Sequence, residues 1–167
     1  MTIAAFDHLP MDEKRNLLTQ CCGASVWVDK MLKALPVEDL VDLMETAEEK
    51  WYECNKADWK EAFSHHPKIG DINSLKEKFA STAKWAAGEQ SGVNNTADDI
   101  LNNLSQGNRK YEEKFGYIFI VCATGKSAEQ MNLLLRERIN NDTAEEIKIA
   151  AEEQNKITML RLQKLFT

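Results

Sequence analysis

The chain has 167 residues, 43% of them hydrophobic, which is enough for one sizeable core and makes a single domain over 1–167 the expectation. Its 27 acidic residues outnumber 21 basic ones for a net charge of -6, and the basic residues are interleaved with acids. That balance argues against an electrostatic nucleic-acid binder.

The stretch 1–10 lacks an apolar core followed by a cleavage site, so no secretory signal is expected. No apolar run approaches the roughly 20 residues that span a bilayer. The final Lys164-Leu165-Phe166-Thr167 does not match the peroxisomal Ser-Lys-Leu pattern. Cys21, Cys22, Cys54 and Cys122 fit neither a zinc ligand set nor a disulfide scaffold, so buried free thiols in a reducing cytoplasm are expected.

Almost every segment reads as helix. Pro10 with Met11, Asp12 and Glu13 forms a helix start, Leu17 and Leu18 give its apolar side, and Gly23 can end it. Ala24 or Ser25 opens a second helix through Trp27, Val28, Met31 and Leu32, closed by Pro36. Over 37–54, Leu40, Val41, Leu43, Met44, Ala47 and Trp51 recur at a 3.6 period among acids. A short helix over 58–64 follows, with Trp51 and Trp59 as core or near-core anchors.

Beyond it, 71–88 reads as a helix with Ile72, Leu75 and Phe79 on one side. The polar run 94–99 reads as a loop into a helix over 97–115, with Thr96 as its N-cap. Ser127 and Glu129 open the next helix, and Asp142 or Thr143 caps the last. Glu145 and Glu146 stand in that final helix's first turn, where its dipole favours acids. The sum is an all-α, single-domain bundle of about seven to nine helices.

Two stretches break this pattern. Tyr117-Ile118-Phe119-Ile120-Val121-Cys122-Ala123 has strand-like propensity but no partner strand. It is expected to thread the core as a buried, largely non-helical or broken-helix segment whose exposed backbone amides are candidates for binding an anion or a ring carbonyl. Simple core packing explains its hydrophobicity equally well. In Ser64-His65-His66-Pro67-Lys68-Ile69-Gly70, proline disfavours helical geometry at His66 and Gly70 permits a tight turn. An imidazole held on such a turn suits proton transfer. The competing account is a polar helix stop on the surface.

Taken in order, a set of motifs carries a resemblance. They are Cys21-Cys22-Gly23-x-x-x-Trp27, His66-Pro67-Lys68-Ile69-Gly70, Gly88-Glu89-Gln90-Ser91-Gly92 and Tyr111-x-x-x-Phe115-Gly116-Tyr117-x-Phe119. Cys122-Ala123, Arg138-x-x-Asn141 and Glu153-Gln154-x-Lys156-Ile157-x-x-x-Arg161-Leu162 complete it. Over essentially its whole length the chain resembles the 2-oxo-4-hydroxy-4-carboxy-5-ureidoimidazoline (OHCU) decarboxylases of urate degradation.

The resemblance implies an all-helical, cofactor-free carboxy-lyase, usually a homodimer, acting on a small-molecule substrate to give (S)-allantoin and CO2. It makes His66 the proton donor, places Glu89 on the substrate's ureido or ring nitrogens beside Gln90, and makes Arg161 a cationic clamp. Pro67 and the backbone of Phe119, Ile120, Val121, Cys122 and Ala123 would line the ring. Two positions depart from the family. Ala86 stands where serine is common, removing a hydroxyl contact, and Lys68 stands where arginine is common.

These residue types suit the chemistry. Decarboxylation leaves an electron pair that the conjugated ring can accept, so neither pyridoxal nor a metal is required. A histidine can move the proton, a carboxylate can hold ureido N–H groups, and a guanidinium can bind a carboxylate or carbonyl. His65 points away from its neighbour and is expected on the surface or behind the site. A metal site on both histidines lacks a third ligand. Two other functions use the same residues: a helical interaction module without catalysis, or an enzyme for another ureido or imidazole compound.

Overall fold

The computed structural model describes residues 1–67 and 91–167; the helix expected over 71–88 lies outside the described residues. The described residues form eight α-helices and no strand. They are α1 (Ile3–Asp7), α2 (Met11–Cys21), α3 (Ser25–Ala34), α4 (Leu40–Tyr52), α5 (Lys56–Ser64), α6 (Ser91–Phe115), α7 (Ala128–Arg138) and α8 (Thr143–Leu165). None is long and apolar enough to cross a membrane.

The chain gathers into two units, Met1–His66 with Ile147–Thr167, and Pro67–Glu146. In the first, the tryptophans sit as their spacing predicts. Trp27 and Trp51 are fully buried, and their indole N–H groups donate to the carbonyls of Ala47 at 3.0 Å and Ala151 at 2.8 Å. Trp59 is half-buried and donates to the Trp51 carbonyl at 3.1 Å. Each indole thus buries a large apolar surface without stranding its one polar group. Phe6, Leu18, Met31, Leu43, Phe63 and Leu162 complete this core, each side chain contributing about 1.5–3 kcal/mol on burial.

Helix starts follow side-chain chemistry. Asp39 accepts from the Asp42 amide, and Asn55 with Asp58 forms a reciprocal capping box that starts α5 two residues before the expected position. Ser127 and Gln130 form another at α7.

In the second unit α6 already runs from Ser91, so the loop expected over 94–99 and its Thr96 cap are replaced by continuous helix. Asn and Thr each cost a helix at most about 0.7 kcal/mol, and extending an existing helix avoids a new nucleation. The far end of α6 is sharply defined. Gly116 takes a φ of +81°, open to glycine, and its N–H closes on the Glu112 carbonyl at 2.8 Å. At Gly107 the helix passes so near α7 that a Cβ there would lie 2.3 Å from Leu135 Cδ2.

Candidate active site

In the first unit, α5 delivers His66. Buried Ala62 and Phe63 fix the last turn of that helix, and the amides of His65 and His66 close on the Ala62 and Phe63 carbonyls, each at 3.2 Å. Pro67 then stops the helix, as its ring requires. The exposed His65 ring lies against Gly23, where an added Cβ would come within 2.3 Å of its Cγ. The glycine of the Cys21-Cys22-Gly23 motif therefore makes room for the histidine turn. His66 itself is half-buried, with Nε2 2.5 Å from Gln154 Oε1.

Gln154 lies on α8, as do Thr158 and Arg161. Their i, i+4, i+7 spacing puts all three on one helix face, over roughly 10 Å of rise. The half-buried Arg161 sends Nη1 to the carbonyls of Cys21 at 3.2 Å and Gln20 at 3.4 Å, where α2 ends and carbonyls lack helical partners. Among the described residues no carboxylate pairs with it.

Burial disfavours the thiolate form of the adjoining cysteines. Burial pushes Cys21 up to about 11 and Cys22 up to about 12, and the nearby Arg161 charge offsets only part of this. All four cysteines are buried thiols outside any disulfide, as composition predicts.

In the second unit, the stretch 117–123 is non-helical and largely buried. Phe119, Ile120, Val121 and Cys122 turn their side chains inward, so what this segment can offer a ligand is backbone. No acceptor among the described residues meets the N–H of Phe119, Ile120, Val121 or Ala123. The carbonyls are used: Arg138 Nη1 donates to Ile120 O at 2.7 Å and Lys126 Nζ to Cys122 O at 2.8 Å.

Arg138 is held in turn by Glu146. Its Nε donates to Glu146 Oε1 at 2.8 Å, and its Nη2 approaches the same oxygen at 2.6 Å as a charge contact without hydrogen-bond geometry. The Tyr111 hydroxyl donates to Oε1 at 2.5 Å and Asn141 Nδ2 to Oε2 at 3.0 Å. Burial, and then the bond to Glu146, push the Tyr111 phenol far above its usual range, so it stays a donor. The guanidinium also faces the Phe119 ring at 4.5 Å.

Sequence reasoning assigned Glu146 only to a helix dipole, yet it is fully buried. The available signal was the Arg138-x-x-Asn141 motif, whose two polar residues both meet this carboxylate. Gln154 was likewise quoted within the tail motif without a role. Pro67 is exposed beside His66. Ala86, Glu89 and Gln90 lie outside the described residues. Among those described, no group of three His, Cys, Asp or Glu side chains has a metal-binding arrangement.

The sequence profile of the OHCU decarboxylases matches residues 7–163, nearly the entire chain. The chain belongs to the OHCU decarboxylase family. Relatives include the uric acid degradation bifunctional protein TTL of Arabidopsis thaliana, 36% identical over 88% of this chain and 45% of that protein. The 2-oxo-4-hydroxy-4-carboxy-5-ureidoimidazoline decarboxylase of Amia calva is 38% identical over 59% of this chain and 55% of its own length. The chain thus spans about half the length of these curated relatives.

Among solved structures, an OHCU decarboxylase crystallised in the presence of (S)-allantoin is 36% identical, with a TM-score of 0.70 over 89% of this chain and 95% of that one. An (S)-allantoin synthase, 16% identical and also at 0.70, covers 98% of this chain and 54% of its own, and shares the fold. The all-helical architecture expected from sequence is therefore the architecture of the OHCU decarboxylases.

Proposed function

We propose that this protein decarboxylates 2-oxo-4-hydroxy-4-carboxy-5-ureidoimidazoline to (S)-allantoin and CO2 in urate degradation, without a cofactor. The observation that carries the reading is the His66 turn, tethered to the same face of α8 that bears Arg161, which has no counter-charge among the described residues, within a chain of this family. Arg161 binds the substrate carboxylate or a carbonyl. The C–CO2 bond breaks with its electron pair moving into the conjugated ring, and His66 returns a proton to a ring carbon on one face, setting the S configuration.

Glu89 and Gln90 hold the ureido arm, with Ala86 giving one contact fewer than serine would. Pro67 and the backbone amides of Phe119, Ile120, Val121, Cys122 and Ala123 line the ring. The protein acts in the cytoplasm as a homodimer, with 1–167 as one catalytic domain; support for a single domain is the family match running without a break from 7 to 163.

The test is to generate the substrate in situ from urate and follow optical activity with and without the protein. Rapid appearance of (S)-allantoin is expected. Slow racemic product matching the blank would overturn the proposal.

A further inference from the structure

Gln154 is 1% exposed, and a carboxamide buried without partners costs roughly 1–3 kcal/mol. Its bonds can be followed one by one. The Thr158 hydroxyl donates its single hydrogen to the Gln154 backbone carbonyl at 3.0 Å, the bond helical threonines make one turn back. Its oxygen is left to accept, and it accepts from Gln154 Nε2 at 3.2 Å. That orients the carboxamide with Oε1 toward His66 Nε2, 2.5 Å away. A carboxamide oxygen has no hydrogen to give, so the ring nitrogen must supply it.

We infer that Gln154, oriented by Thr158, is a positioning residue that holds His66 as its Nε2–H tautomer, so that the reaction proton enters and leaves at Nδ1. This rests on His66 being the proton carrier of the proposed decarboxylation.

The imidazolium gives its Nδ1 proton to the ring carbon that CO2 loss has made basic. It is left neutral, with the Nε2–H···Oε1 bond intact, and water reprotonates Nδ1 before the next turnover. Both protonation states keep the same tether, so the ring does not turn between accepting and giving the proton. The neutrality of Gln154 matters here. A carboxylate in its place would favour the imidazolium and hold back the proton the reaction needs. A carboxamide sets the tautomer without adding that charge.

Long-range 15N NMR of the ring nitrogens tests this on the intact chain, at a pH where His66 is neutral, with His66→Asn assigning the signals. The wild type should show the Nε2–H pattern. Gln154→Leu and Thr158→Val should admit the other tautomer and lower kcat roughly 10–100-fold, as loss of ring-orienting partners does elsewhere, while KM changes far less. An Nδ1–H pattern in the wild type, or an unchanged tautomer in both variants, would overturn the inference. A His66→Asn variant with full turnover would overturn the route through Nδ1 together with the proton-carrier role, yet leave the Gln154 contact standing.

Discussion

Two polar clusters in this molecule are built on opposite principles. Around Glu146, a fully buried carboxylate accepts from a tyrosine, an asparagine and an arginine, and the same arginine donates to Ile120 O. The charges cancel within the protein. Around His66 the reverse holds. The imidazole is half-buried, its tether is a neutral amide, and Arg161 further along the same helix as that amide meets two backbone carbonyls and no described carboxylate. A self-neutralised cluster holds structure, whereas the proposed function needs an arginine whose charge is not already cancelled by a carboxylate of the protein.

The sharpest way to break this contrast is Glu146→Gln. It leaves Arg138 buried without its counter-charge, and removing one partner of a buried pair costs about 3–5 kcal/mol. The denaturation midpoint should fall accordingly. A midpoint like the wild type would show that the cluster holds nothing together.

His66→Ala should do the opposite, lowering turnover by about 10²–10⁴-fold while leaving the midpoint nearly unchanged. His65→Ala, on an exposed ring resting against Gly23, should cost far less. Equal losses of activity would reassign the proton carrier.

Arg161→Lys sharpens the comparison further. It keeps a charge near the end of α2 but loses the planar fork. A charge-assisted hydrogen bond contributes about 1.5–3 kcal/mol, so kcat/KM should drop roughly 10–100-fold, with helicity by circular dichroism unchanged. Wild-type kinetics would confine this arginine to capping α2.

The smallest effect lies on the surface. Hydrogen bonds from Lys30 and Lys50 hold the exposed Glu53 carboxyl down at about 2. A carboxyl depressed in the folded state adds stability that is present above its ordinary value near 4.5 and lost as pH falls toward about 2. Glu53→Gln should flatten that small acid slope, and high salt should do the same to the wild type. A slope unaffected by the substitution would assign acid sensitivity elsewhere.

Much of the architecture was legible because its causes are local. Pro10 and the acids after it located the start of α2, apolar spacing located α3 and α4, Pro67 located the end of α5, and the β-branched run at 117–123 marked the break between α6 and α7. The start of α6 was not legible, because Asn and Thr signal a cap only weakly and a formed helix extends past them at little cost. The sequence by itself determined the all-helical class, the approximate course of α2 to α5, and that His66 stands just before a proline at the end of a helix. Only the tertiary structure decided what that imidazole touches, since Gln154 lies 88 residues away and the Cys21 carbonyl 140 residues from Arg161. It also turned Glu146 from a first-turn acid into the centre of a buried cluster. Periodicity and capping act within a turn or two of the chain, whereas hydrogen-bond partners are set by which helix faces meet once the core has packed.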